Sequence, residues 1–242
     1  MKAMILAAGL GSRLKEMTQH CPKALVEAGG ITLLERCIEK LKSYQVNDFV
    51  INIHHFGEQI IQFVEQKHYF NVNIQFSDER TLLLDTGGGI KHARKFLDNG
   101  EPFIVHNVDI ISDLDIRKMY DFHCQQQALA TLAVRERTTQ RFFLFDSNNQ
   151  LCGKVNLNTN ERLIVKNKED KNLKPLAFSG IHIISPKIFS LFPTEEKFSI
   201  TAFYEQIAEK EKILAYQHQE GMWMDMGKIE DFQKLEQMIK KQ

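Results

Sequence analysis

The sequence predicts an α/β fold: a mixed, mostly parallel sheet flanked by helices, followed by a smaller lobe of mixed sheet. Three observations predict it. Short apolar runs alternate with helically spaced apolar residues through the first half of the chain. The first run, residues 2–8, ends where Gly9 and Gly11 allow a tight turn at a sheet edge. After about residue 127 the helical spacing gives way to strand-like runs separated by polar turns.

Each element follows from its own residues. Residues 2–8 are an apolar strand. Thr32 stands at an N-cap, because Leu33, Leu34, Cys37, Ile38 and Leu41 recur behind it at helical spacing. Residues 49–53 form a strand, and Ile60, Ile61 and Val64 mark a short helix over 58–66. Residues 72–76 alternate apolar and polar side chains, as a half-buried strand does. A helix follows over 89–97 and an apolar strand over 103–105, and Ser112-Asp113 reads as the cap of a helix from about Leu114. In the second half 128–134, 141–145, 151–157, 163–165 and 176–184 are strand-like. Pro186 opens a short helix, Ser199 caps another, and Ile229, Phe232, Leu235 and Ile239 define the last. No linker or repeat intervenes. The reading is one domain, 1–242, with an N-terminal lobe to about 127 and a C-terminal lobe from about 128.

Composition excludes several functions. Among 242 residues, 31 basic side chains balance 31 acidic ones, so no charge excess favours nucleic acid. No apolar run reaches the roughly 18 residues of a membrane helix, so no membrane partner is expected. Cys21, Cys37, Cys124 and Cys152 are scattered, without a zinc or disulfide pattern. A reduced, cytoplasmic protein is expected.

The chemistry-bearing segments begin at Gly9-Leu10-Gly11-Ser12-Arg13, followed by Pro22-Lys23. Glycines let backbone N–H groups approach phosphate oxygens, and an Arg and a Lys add charge for a polyphosphate. Leu14 replaces the third glycine of a dinucleotide fingerprint, which argues against a dinucleotide-dependent oxidoreductase, and no Gly-Lys-Ser/Thr of a Walker A loop occurs. The adjacent His54-His55 is not a metal pair, because neighbours on a strand face opposite ways.

The run Leu6-Ala7-Ala8-Gly9-Leu10-Gly11-Ser12-Arg13-Leu14, with Thr18 and Pro22-Lys23, resembles the opening signature of the sugar-1-phosphate nucleotidyltransferases. Asp85-Thr86-Gly87-Gly88-Gly89-Ile90, Asn107-Val108-Asp109, Phe178-Ser179-Gly180-Ile181 and Trp223-Met224-Asp225-Met226-Gly227 follow in that family's order. Two positions depart from it: Glu16 stands for a proline and Val108 for a glycine. The resemblance implies a Rossmann-like fold of the nucleotide-diphospho-sugar transferase type with a sugar-binding C-terminal lobe. It implies a substrate pair, a nucleoside triphosphate and a sugar-1-phosphate, and Mg²⁺ as cofactor.

The resemblance also assigns roles. Ala7, Ala8, Gly9, Gly11, Ser12, Arg13, Gly87, Gly88 and Asn107 would bind the nucleotide. Arg13 and Lys23 would be the catalytic cations, and Asp109 and Asp225 the metal ligands. Ser179 and Gly180 would lie in the sugar pocket. The family's Glu-Lys-Pro segment is missing around 165–169, so Arg141 and Lys154 become the candidates for the sugar phosphate. Within the family, the Asp-Thr-Gly-Gly-Gly-Ile and Phe-Ser-Gly-Ile segments most resemble N-acetylmuramate-1-phosphate uridylyltransferases, with mannose-1-phosphate guanylyltransferases close by. A non-catalytic sensor or assembly subunit is the alternative of another class.

Overall fold

The structure is a computed structural model that describes residues 1–166 and 172–239, the side chain of Lys15 aside. The N-terminal elements are β1 (Lys2–Leu6), α1 (Leu33–Lys42), β2 (Asp48–Ile53), α2 (Gly57–Gln66), β3 (Asn73–Asp78), α3 (Asp85–His92), β4 (Phe103–Asn107), β5 (Ile110–Ser112) and α4 (Ile116–Gln126). The C-terminal elements are β6 (Ala130–Arg135), β7 (Arg141–Phe145), β8 (Leu151–Asn156), β9 (Glu161–Ile164), β10 (Lys174–Ile184), α5 (Ile200–Ile207), β11 (Ile213–Gln217), β12 (Trp223–Asp225) and α6 (Ile229–Ile239).

Among the described residues the main sheet has ten strands, with the path β9-β8-β7-β10-β4-β1-β2-β3 and the pair β6 and β11 branching from β10. Its N-terminal part, β4-β1-β2-β3, is parallel. Strand β10 joins the halves, pairing antiparallel with β4, β6 and β7. Strand side chains alternate between two cores. Ala3, Ile5, Phe49 and Ile51 face the layer that holds α1, α2, α4 and α6, whereas Met4, Val50, Phe103 and Val105 face α3 and α5. Leu33, Leu34, Ile38 and Leu41 of α1 are buried. Each contributes about 1.5–3 kcal/mol by leaving water.

Thr32 caps α1 as expected, its side chain accepting from the Glu35 N–H at 3.1 Å. Two caps differ from expectation. Helix α4 starts at Ile116 under Asp115, which accepts from the Lys118 N–H at 3.0 Å. Ser112 instead accepts from the Leu114 N–H, and Asp113 from the Met222 N–H. At α5 the Ile200 N–H donates to Thr86 Oγ1, while Ser199 bonds Thr201. His54 and His55 follow β2 in a turn rather than lying on the strand.

Helix α3 also differs, spanning 85–92 with a separate turn at Arg94–Leu97. Glycine's poor helix propensity disfavours Gly87 and Gly88 in a helix, yet α3 includes both. Tertiary packing overrides that preference, because the segment 193–198 lies directly against their backbone. A Cβ on Gly87 would stand 2.3 Å from Phe198 Cε2, and one on Gly88 2.1 Å from the Glu196 oxygen.

Candidate active site

The carboxyl ends of β1, β2, β3 and β4 open into a cavity of about 450 Å³. Ligand sites in parallel sheets lie at such ends. Gly11 turns the chain after β1 at φ +64°, and a Cβ there would meet Thr18 Cγ2 at 2.9 Å. Gly9 is exposed, with open space where a Cβ would stand. The loop is held from below. Asn52 Oδ1 accepts from the Ala7 and Ala8 N–H groups at 2.7 and 3.3 Å, and Asn52 Nδ2 donates to Glu79 Oε1 at 2.8 Å. Glu79 Oε2 accepts from the Leu84 N–H. Burial raises the Glu79 carboxyl above its usual range, against the pull of the Asn52 bond.

The two candidate carboxylates meet through a small ladder. Strand β12 pairs antiparallel with β5, setting Asp225 opposite Ile110, the residue after Asp109. The Met226 N–H donates to the Asp109 carbonyl at 2.8 Å. Lys23 Nζ forms an ion pair with Asp109 Oδ2. Asp225 Oδ1 is buried, without a hydrogen-bond partner among the described residues. Burial, then the neighbouring Asp109, raise its pKa, while Lys23, Arg13 and Arg137 oppose the shift. Gly227 explains the closeness, because a Cβ there would stand 2.8 Å from Asp225 Oδ1 and 2.9 Å from both Arg13 Nη atoms.

Of the residues the resemblance singled out, Ala7, Ala8, Gly9, Gly11, Ser12, Arg13, Lys23, Asn107 and Asp109 line this cavity. Gly87 and Gly88 do not. Their N–H groups donate to the Phe198 carbonyl at 2.9 and 3.1 Å, so they seat the segment 193–198. Asp85 and Thr86 face the cavity in their place. Ser179 is buried on His218 Nε2 at 2.8 Å, and the backbone of Gly180, at φ +77°, lies against Ile110 and Asn107. Both therefore shape the β10 bulge and line neither main cavity.

Arg141 and Lys154 line a second cavity, of about 390 Å³, with Arg137, Phe143, Phe178 and Glu205. Lys154 is held by Glu205 and Glu161 at 2.9 and 3.2 Å. Residues 167–169, part of the segment searched for a phosphate-binding lysine, lie outside the described residues. Sequence reasoning passed over Asn52, Glu79, Arg137 and Lys197. A polar side chain inside the apolar run of β2 was the signal for Asn52. Val108 is buried in the core and Glu16 is exposed, so neither departure removes a charge from the cavity. No helix among the described residues is long and apolar enough to cross a membrane.

Fold and cleft together define an α/β protein whose strand ends gather a glycine loop, two cations and a carboxylate pair. A family model described as nucleotidyl transferase matches residues 2–242. The chain belongs to that family. It is 32% identical over 231 residues to N-acetylmuramate alpha-1-phosphate uridylyltransferase of Caulobacter vibrioides, covering 93% of this chain and 91% of that protein. It is 30% identical to mannose-1-phosphate guanyltransferase of Yarrowia lipolytica over 96% of this chain, but spans only 62% of that protein. Among solved structures, HddC from Yersinia pseudotuberculosis complexed with GMP-PN is similar at TM-score 0.75 and 25% identity, covering 98% of this chain and 99% of that one.

Proposed function

We propose that this protein joins a nucleoside triphosphate to a sugar-1-phosphate, giving a nucleoside-diphosphate sugar and pyrophosphate, with UTP and N-acetylmuramate-1-phosphate as the preferred pair. The observation that carries the reading is the convergence of Asp109, Asp225, Lys23 and Arg13 beside the glycine loop. A phosphate monoester is largely ionised at neutral pH, its second pKa being about 6. The attacking oxygen therefore needs no side-chain base. Its bond to the α-phosphorus forms as the bond to the β-phosphate oxygen breaks, and pyrophosphate leaves with the electron pair.

The barrier is charge repulsion between two anions, and the side chains answer it by position and charge. Arg13 faces the polyphosphate from the turn after the loop. Lys23 transfers from Asp109 to a substrate phosphate oxygen. Gly9 leaves room for the triphosphate to lie against the backbone. Asp109 and Asp225 fit Mg²⁺, which takes one or two carboxylates and completes its shell with phosphate oxygens and water. Asp225 Oδ1, buried and without a hydrogen-bond partner among the described residues, is the observation that favours a cation there. Bound between these carboxylates, the ion would neutralise charge at the reacting phosphates.

The experiment is pyrophosphate release with Mg²⁺, across UTP, GTP, CTP, dTTP and ATP, against N-acetylmuramate-1-phosphate, mannose-1-phosphate and glucose-1-phosphate. A dominant signal from UTP with N-acetylmuramate-1-phosphate supports the reading and a role in cell-wall sugar metabolism. A dominant signal from GTP with mannose-1-phosphate keeps the chemistry and replaces the substrates, as the similarity to the guanyltransferases allows. Silence from folded protein overturns the reaction and leaves a sensor.

A further inference from the structure

The second cavity holds three cationic side chains, and among the described residues only one of them has an ion-pair partner. Lys154 is engaged by two carboxylates, Glu205 and Glu161. Among the described residues, Arg137 and Arg141 form no ion pair, although both line the cavity. Arg137 is the more constrained. Its guanidinium lies over the Trp223 ring, 4.6 Å from the centroid, and donates from Nη2 to the Phe178 carbonyl at 3.3 Å. Its Nε is buried with no acceptor among the described residues. A buried donor without a partner carries a desolvation penalty that a ligand acceptor removes.

The position of Arg137 gives that donor a direction. Trp223 lies two residues before Asp225 on β12, and the Asp225 charge acts on Arg137. Arg137 therefore lines the second cavity within reach of the Asp225 charge. A sugar-1-phosphate that reacts near Asp225 and seats its ring in the second cavity brings its phosphate past this guanidinium. Arg141 opens β7, is exposed, and lines the same cavity. Phosphate recognition by Arg137 leaves Arg141 without an anion. A planar guanidinium matches a carboxylate through two parallel hydrogen bonds. Phe142, Phe143 and Phe178 add apolar surface for the carbon skeleton that carries such a group.

We propose that the second cavity selects a sugar-1-phosphate bearing a second anionic group, a carboxylate, with Arg137 receiving the phosphate and Arg141 the carboxylate. The proposal rests on the reaction proposed above and adds the feature by which its sugar is chosen. A neutral sugar leaves Arg141 hydrated and gains nothing from it.

The test compares two sugar phosphates that differ only in a carboxylate-bearing ether: N-acetylmuramate-1-phosphate and N-acetylglucosamine-1-phosphate. With UTP as co-substrate, the native chain is expected to favour the carboxylate-bearing sugar by roughly tenfold in kcat/KM, the scale of one hydrogen bond to a charged group. In Arg141→Gln the ratio falls to about one. In Arg137→Gln both sugars lose roughly tenfold or more while the preference persists. A native preference for the neutral sugar, or an Arg141→Gln ratio equal to the native one, overturns the proposal. If no nucleotide is turned over, the reaction has failed, and calorimetric binding of the two sugar phosphates decides the cavity separately. Tighter binding of the carboxylate-bearing one, lost in Arg141→Gln, supports the proposal; equal binding overturns it.

Discussion

Asn52 Nδ2 donates to Glu79 Oε1 at 2.8 Å while Asn52 Oδ1 accepts from the Ala7 N–H at 2.7 Å. One amide thus ties the ends of three parallel strands, and the glycine loop rests on it. The polarity of the pair matters, because the amide accepts from the loop with its oxygen and donates to a buried carboxylate with its nitrogen. Replacing Asn52 by Asp keeps the acceptor, removes the donor and sets a second carboxylate against Glu79. The expected cost is about 2–4 kcal/mol at pH 8, from a lost charged hydrogen bond and like-charge repulsion. Relative to the native chain, part of it returns toward pH 5, because a proton shared by the two carboxyls restores a donor. Urea unfolding at the two pH values checks this. An unchanged stability for Asn52→Asp would show that the amide does not hold the loop.

Asp225 presents the reverse case, a residue whose charge weakens the fold. Its carboxyl is buried beside Asp109, and both effects raise its pKa. Asp225→Asn removes the repulsion and keeps the shape. The melting temperature is expected to hold or rise by a few degrees, about 2–4 °C per kcal/mol for a chain of this size. Turnover is expected to fall at least about a hundredfold, the usual scale for losing one transition-state charge contact. Calorimetry and pyrophosphate release, run on one preparation, measure the two together. Loss of activity with loss of fold would assign Asp225 to structure instead.

The fold was legible because its signals are local. The apolar run 2–8, the Thr32 cap and the alternation in 72–76 each follow from a few neighbouring side chains. What was hidden depends on distant contacts. Nothing near Gly87 tells that Phe198 will take the space above it and use its N–H. Nothing near Asp225 tells that β12 will pair with β5 and bring it beside Asp109. Lys154 was a plausible phosphate ligand by type, yet Glu205, which neutralises it, is 51 positions away. Arg137 went unnoticed because its meaning comes from Trp223 beneath it.

Gly87 offers a direct check of that packing. An alanine methyl would stand 2.3 Å from Phe198 Cε2 and 2.9 Å from the Phe198 carbonyl oxygen. Contacts that close require the segment 193–198 to move. It is fastened at its other end by Lys91 Nζ, which donates to the carbonyls of Pro193, Thr194 and Glu195 at 2.6, 3.1 and 3.1 Å. The displacement therefore strains a clamped segment, and overpacking of this kind costs about 1–3 kcal/mol. Gly87→Ala is expected to lower stability by that amount and to speed amide exchange across 193–200. Exchange confined to α3 would place the strain in the helix instead.

Acid stability follows from histidines buried as neutral rings. His106 and His123 are held at about 4 and His182 at about 3, in each case chiefly by burial. His123 bonds Thr131 Oγ1 and Ser185 Oγ, and His182 bonds the Tyr204 hydroxyl at 2.7 Å. In the unfolded chain each ring titrates near about 6.5. The folded pKa lies below the unfolded one, so between them the unfolded state binds more protons. Stability from this source is complete above about pH 6.5 and is lost as pH falls toward 4. At pH 5 the penalty approaches about 2 kcal/mol per ring, a large share of the 5–15 kcal/mol typical of a folded protein. The melting temperature is expected to be level near pH 8 and to fall steeply below pH 6.5. His123→Gln removes one titrating ring while keeping polar atoms for Thr131 and Ser185, so its acid slope should be shallower than the native one. A native melting temperature unchanged from pH 8 to pH 5 would mean that these rings are not buried neutral.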